Sequence, residues 1–434
     1  MKNKSSLVAL CVCYGIMIYT GFFFYPKWDK GGSEATISWD VSGYYMYLPA
    51  LFIYHDLREC KFQKEIGVKY SPTPNFENAR LYNHTSGRIM QYNCGQAIAM
   101  LPFFFLGHTC ATLSGVYADD GFSFPYQFAL GFGMFLYAVL GLYFLRKILL
   151  HYFSDKVVSY LLLFYISATA LLNYLAIDQV QANCSLFSFY SILIYSTIQF
   201  YNNPTRNRLL FIAFLCGLIT LIRPTDIICL LIPLFWGIHD RQDLKTRFQF
   251  WLDRKEWIVY SSLAFIVLPS MQFFYWHYVL GEWFAYSYRD QGFSWFHPHV
   301  CQVFLSFKSG FLAYSPGMIL AYLGLIVYVR SIKFMPIIVL LIFISHYITC
   351  AWDITDYGWY SGRAFIQYFP LLAFPLASLI HKLLDRKWTS VLFFLLWSGS
   401  IYFNIWWTYH IHFGKIPAMN LTKVEYWKNA GRWH

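Results

Sequence analysis

Asp40 stands in SWDVSGYYMYLP, just ahead of Val41–Tyr54, whose aromatic and aliphatic spacing suits a helix lying in a membrane interface. A carboxylate held there could accept a proton from an acceptor hydroxyl, or ligate a divalent cation such as Mg, Mn or Zn. Asp at this position equally suits a helix N-cap. Tyr44 and Tyr45 follow about one helical turn later and are candidates for substrate contact. In YNHTSGRIMQYNCGQ, residues His84, Arg88 and Tyr92 recur at four-residue spacing, one face of a helix. A basic group beside an apolar surface segment suits a phosphate headgroup, though the stretch reads equally well as a polar loop.

Asp178 and Gln179 lie in AIDQVQAN, after an unbroken apolar run. An acid at the mouth of a helix pair binds substrate, orients a partner arginine, or caps the interface. Arg223 in LIRPTD sits between two short apolar stretches, with Pro224 breaking the helix. A charge there must be paired or wet, and Asp226 is the nearby acid. The stretch GEWFAYSYRDQGFSWFHPH supplies Glu282, Arg289, Asp290 and a group of aromatics, with Lys308 following. Aromatic faces can stack on sugars, but they also form interfacial belts. AWDITDYGWYSGRAF holds Asp353, Asp356, Tyr360 and Arg363, and the Arg363 guanidinium could grip a phosphate oxygen in two-pronged fashion. Cys60 and Cys94 are both expected outside, where a disulfide is one option.

The elements that must position these residues are membrane spans. Of 434 residues, 58% are hydrophobic, 22% aromatic and only 13% charged. Soluble domains run near 25% charged, so this chain lacks the polar surface for a soluble globule. The apolar runs are continuous rather than alternating, which argues for helices over a β-barrel. The composition also excludes disorder, collagen and small disulfide scaffolds. The net charge of +11 comes from bases mostly between apolar runs, where they set topology; no nucleic-acid partner is expected. The ten cysteines make no CxxC pair or Cys/His metal spacing, and no Gly-rich phosphate loop occurs.

The first transmembrane segment, 1–25, holds an apolar run from about Leu7 to Tyr25, with Lys2 and Lys4 in front of the run and no small-residue cleavage site behind. Further spans are expected near 125–145, 157–177, 183–201, 207–222, 226–239, 257–280, 312–329, 334–350, 364–381 and 388–409. The run from Gln96 to Gly115 decides the sidedness. If it stays outside or re-enters, breaking near Pro102, then 17 of the 33 bases fall in short cytoplasmic segments. The positive-inside rule favours that arrangement. The expected fold is therefore an all-α polytopic membrane protein of about eleven transmembrane helices, in the plasma (inner) membrane. The N-terminus is cytoplasmic and the C-terminus extracytoplasmic. The long first extracytoplasmic loop, 26–124, carries interfacial helices; 125–280 is a transmembrane core module. An outer loop, 281–311, the C-terminal spans, 312–409, and an outer tail, 410–434, complete the chain. Acids and isolated bases then gather on the outer face, where no ATP is available and a substrate must arrive activated.

These features resemble the GT-C superfamily of integral-membrane glycosyltransferases, in particular its protein-mannosyltransferase and lipid A aminoarabinose-transferase branch. The resemblance is carried by the early acid in SWDVSGYYMYLP and the surface segment YNCGQAIAMLPFFF. It extends to the outer acid Asp178, the basic–Pro element Arg223-Pro224 and the late motif WYSGRAF. It implies transfer of a sugar from a polyprenyl-phosphate donor to a lipid, glycan or protein acceptor. It further implies that Asp40 is the base or a metal-linked carboxylate, that Asp178 helps hold sugar or acceptor, and that Arg363, with Arg223 or Arg88, holds the carrier phosphate. The chain departs from the family pattern in two places. Val41, not a second acid, follows Asp40, and MQYNCGQ stands where an HPP-type element usually begins the surface segment. Metal dependence and acceptor type stay open. A transporter or flippase of lipid-linked sugars is the main alternative, followed by a surface-glycan polymerase or ligase.

Overall fold

The computed structural model describes residues 4–73, 77–82, 85, 87–288, 291–331, 334–355, 360–414, 416 and 421–432. It is helical throughout, apart from one two-stranded ladder among the described residues. The expected spans fall largely in helix, from Lys4–Ile18 at the start to Lys387–His412 near the end. Six of the described helices are long and apolar enough to cross a membrane: Lys4–Asp29, Gly95–Ser114, Phe124–Leu150, Lys255–Leu280, Arg363–Leu384 and Lys387–His412. The others are shorter or more polar, and some are broken. The run at 157–177 divides into Asp155–Ala168 and Leu171–Ala176, and 226–239 is a short Pro224–Phe235 segment. Length and composition thus support a polytopic helical membrane protein with six candidate spans.

Glycines bring the helices together. A Cβ at Gly21 would fall 2.2 Å from the Ala176 carbonyl oxygen, at Gly217 2.4 Å from that of Phe265, and at Gly324 2.3 Å from that of Pro375. Small residues at crossings let backbones approach where apolar burial gives little drive between spans.

The base-bearing connections meet at one end of the bundle. The Asp155 carboxylate accepts from the N–H groups of Ser5 and Ser6 at 2.9 and 3.1 Å, and Arg146 Nε donates to Ser6 Oγ at 2.8 Å. The Trp236 indole donates to the Tyr152 hydroxyl, and Arg247 donates to the Leu234 and Trp236 carbonyls. A ring nitrogen of His239 lies 2.8 Å from the Phe334 carbonyl oxygen. The N-terminal segment and the turns near 150, 240 and 334 are therefore neighbours.

Gly95–Ser114 is one unbroken helix with Pro102 inside it, so the break expected there does not occur. Its 20 residues would span about 30 Å. Both flanks nevertheless attach to one group of residues. Before the helix, the Tyr47 hydroxyl donates to the Tyr92 carbonyl at 2.7 Å. After it, the Tyr45 hydroxyl donates to the Gly121 carbonyl at 2.5 Å, while Lys69 and Tyr70 both donate to the Asp120 carboxylate at 2.7 Å. Midway, Phe104 packs on Tyr45 and Phe52. The helix therefore lies along Trp39–Phe52. The interfacial helix expected after Asp40 is present as two short ones, Trp39–Tyr45 and Tyr47–Phe52.

Two local expectations are corrected. Residues around Arg88 form a β-ladder, with Ala79 opposite Met90 and Leu81 opposite Arg88, so Arg88 and Tyr92 do not share a helix face. Gly87 explains part of this, since a Cβ there would fall 2.5 Å from the Val279 carbonyl oxygen, and the return strand runs close against that helix end. Cys60 and Cys94 are free thiols, not a disulfide.

Candidate functional site

Asp40 lies in the first turn of Trp39–Tyr45. Its carboxylate caps nothing: Ser38 occupies the cap position, and Asp40 Oδ2 instead receives the Arg363 guanidinium at 2.5 Å. The two partners are 323 residues apart in the chain, and their side chains stay 25% and 20% exposed. Each is aimed by a left-handed residue just before it, Trp39 at φ +48° and Gly362 at φ +52°. A Trp there is strained, and such strain persists where surrounding contacts hold it. The Trp39 N–H donates to the Pro72 carbonyl, and the Ser42 hydroxyl donates back to the Trp39 carbonyl at 2.6 Å. At Gly362, a Cβ would meet that of Phe311 at 2.8 Å, so glycine is needed for space as well as for φ.

Aromatic rings wall this pair. Tyr44 and Tyr92 pack with ring centroids 4.4 Å apart, and Tyr288 stands edge-on to Tyr92 at 6.0 Å. Gly43 makes room, because a Cβ there would fall 2.7 Å from the Tyr92 ring. Burial pushes the Tyr44 phenol up to about 12; Asp40 adds to this, and Arg363 and Arg223 oppose it. Tyr44 therefore keeps its proton at neutral pH and is a donor within the field of an acid and two guanidinium groups.

Arg223 is the second of those groups. It follows Arg206–Ile222 in extended conformation, ahead of Pro224. It feels Asp226, Tyr368, Tyr44 and Tyr288. Yet its guanidinium makes no hydrogen bond and no ion pair among the described residues. The acid expected to pair with it is engaged elsewhere: the fully buried Asp226 accepts from the Tyr368 hydroxyl and, at 3.2 Å, from Gln367 Nε2. A half-buried guanidinium with its donors open faces the same tyrosines as the Asp40–Arg363 pair.

Asp178 has partners of its own. Its side chain is 4% exposed and holds Lys27 Nζ at 2.8 Å and Asn173 Nδ2 at 2.9 Å. His412 Nε2 is 2.5 Å from the Asn173 amide oxygen. Burial would raise the Asp178 carboxyl, but Lys27, His412 and the hydrogen bonds outweigh it and hold it at about 2. The link to the first cluster is Tyr174, whose phenol feels both Arg363 and Asp178 and donates to the Tyr360 carbonyl.

The remaining expected residues are placed as follows. Tyr45 is fully buried, pinned to Gly121. Gln179 is buried and donates to the Gly131 carbonyl at 3.1 Å. Arg88 donates to the Ala79 carbonyl at 3.1 Å within the ladder. Asp353 accepts from the Gly292 N–H at 3.1 Å and the Ser294 hydroxyl at 2.7 Å, tying the 281–311 segment to the turn after Pro336–Ala351. Lys308 is exposed. His84, Arg289, Asp290 and Asp356 lie outside the described residues. Sequence reasoning passes over Lys27, Asn173, His412 and Tyr288. Lys27 carries a legible signal, a base at the far end of a span from the positive side; the others carry none beyond their polarity.

A divalent cation would need several hard donors. Asp40 brings one carboxylate already bearing an arginine, and among the described residues no three His, Cys, Asp or Glu side chains gather. Among the described residues these donors do not compose a cation site. Comparison with protein-family models, with curated proteins and with solved structures finds no match for this chain.

Proposed function

We propose that this protein is a membrane glycosyltransferase that moves a sugar from a polyprenyl-phosphate donor to an acceptor on the extracytoplasmic face. The observation that carries this reading is the Asp40–Arg363 pair with Arg223 open beside it, among tyrosines, at the end of the bundle away from the base-bearing turns. One carboxylate with two guanidinium groups can serve an in-line displacement at an anomeric carbon, as base and as stabilisers of the departing phosphate. The donor phosphate settles on Arg223 and competes with Asp40 for Arg363. The released carboxylate takes the acceptor's hydroxyl proton as the acceptor oxygen attacks the sugar. The bond from the anomeric carbon to the phosphate oxygen breaks, and that oxygen keeps the electron pair, stabilised by the two cations. Tyr44 and Tyr92 offer ring faces and a hydroxyl to the sugar.

We propose the sidedness as well. Both flanks of Gly95–Ser114 attach to one group of residues, which supports keeping 26–124 on one side. Under the positive-inside rule that side is the outer one. The test is incubation of purified protein in lipid nanodiscs with a panel of radiolabelled polyprenyl-phosphate sugars and membrane-extract acceptors. The proposal expects label to leave one donor of the panel for an acceptor. Exchange of intact donor between leaflets, with its phosphate bond unbroken, would make the protein a transporter instead.

A further inference from the structure

We infer that the base-bearing end of the bundle holds the headgroup of an anionic phospholipid. A cavity of about 370 Å³ opens where Ile319–Val329 and Phe369–Leu384 end. Arg330, His381 and Lys382 line it together with one acid, Asp385, and Phe153 and Ile326 supply apolar wall. Arg330 directly follows the first helix, and Lys382 lies in the last turn of the second, so the two cationic side chains reach one cavity from separate helices. Two fixed positive charges against one carboxylate suit a phosphodiester anion. Bases at helix C-termini also complement the helix dipole, and bases at this end set topology. Neither role calls for a shared cavity with an apolar wall.

The surface leading away from the cavity carries the second half of the inference. Ile326 lines the cavity yet is 60% exposed. Leu323 and Ile319 continue its face at helical spacing, each 50% exposed. The helix meets its neighbour on another side, at Gly324 against Pro375. A charged cavity thus runs into an apolar stripe along a span. That is the shape of a headgroup followed by acyl chains, and basic pockets between spans are where anionic headgroups bind. A soluble phosphate would have no use for the stripe. The site lies at the opposite end of the bundle from Asp40 and Arg363, and the inference stands independently of sugar transfer.

The test is a thermal-shift titration of the full chain in neutral detergent. The probes are dioleoyl phosphatidylglycerol, phosphatidylcholine with the same chains, and glycerol 3-phosphate. Phosphatidylglycerol should raise the melting midpoint saturably, while the other two leave it unchanged. In R330Q/K382Q the lipid concentration for half the shift should rise about tenfold or more. In R241Q/K245Q, with the same charge change on the exposed Arg241–Leu252 helix, it should stay at the wild-type value. If R330Q/K382Q aggregates, K382Q alone should still raise it about threefold. An undiminished shift in the cavity variant, or equal loss in both doubles, would overturn the site in favour of diffuse surface attraction. An equal shift with glycerol 3-phosphate would overturn the lipid assignment.

Discussion

Asp40 and Arg363 restrain each other at rest, and the chemistry assigned to them predicts different losses. Asp40→Asn keeps a hydrogen-bond acceptor for Arg363 but removes the base, so transfer should fall about 10²–10⁴-fold with little change in melting midpoint. Arg363→Ala should weaken donor binding more than Arg363→Lys, because only the lysine keeps a charge for the phosphate. Wild-type donor affinity in both Arg363 variants would end the phosphate role. Gly43→Ala drives a methyl toward the Tyr92 ring, which a Cβ would approach to 2.7 Å. It should raise the KM for donor while Asp40 chemistry persists, and an unchanged KM would remove Tyr92 from the sugar site. At this scale the sequence is informative about residue type and poor about partnership. Asp40 and Arg363 stand out as an acid before an interfacial helix and an arginine at the start of a span, but nothing in their spacing joins them. The joining depends on two left-handed turns, at Trp39 and Gly362, of which only the glycine is suggestive. Asp226 illustrates the opposite error of proximity: three residues from Arg223, it gives its carboxylate to Tyr368 and Gln367 instead.

At the scale of elements, Lys27 joins the end of the first helix to the turn before Ala182–Asn202 through Asp178. Lys27→Met would leave a buried carboxylate without its amine and should cost about 3–5 kcal/mol of stability. Lys27→Met/Asp178→Asn should recover most of it, and a double variant as unstable as the single would show that Lys27 acts otherwise. The Asp178 carboxyl lies at about 2 in the folded chain, below the unfolded value of about 3.9. Its contribution is therefore fully present above about pH 4 and is lost as pH falls toward 2, on the order of 2–3 kcal/mol. Thermal melts across that range should show a smaller loss in Asp178→Asn than in wild type. Spans are legible because apolar runs of the right length leave little alternative. The ladder at Ala79–Met90 is not, because three-residue strands leave no periodicity to read, and the four-residue spacing of His84, Arg88 and Tyr92 imitates a helix.

At the scale of the whole molecule, the apolar run from Gln96 to Gly115 is the ambiguous element. Its composition and its 20-residue helix both suit a crossing. The contacts of its flanks, through Tyr45, Tyr47, Lys69 and Tyr70, suit a helix that lies against the outer loop on one side. Hydropathy cannot separate these cases; the proposed sidedness rests on the distribution of bases, whose turns are neighbours at one end of the bundle. A membrane-impermeant thiol reagent applied to intact cells should label cysteines introduced at Gln91 and at Asp119 alike in a chain otherwise free of exposed thiols. Labelling of one alone would reverse the sidedness of everything after residue 115.

Sugar transfer itself is tested most directly by single-turnover release of polyprenyl phosphate from a radiolabelled donor, comparing the wild type with Asp40→Asn in the same nanodiscs. The wild type should release polyprenyl phosphate, with the sugar recovered on acceptor. The variant should release it at least about a hundredfold more slowly, at unchanged donor binding. Equal rates from the two proteins, or bound donor that neither ever cleaves, would contradict sugar transfer.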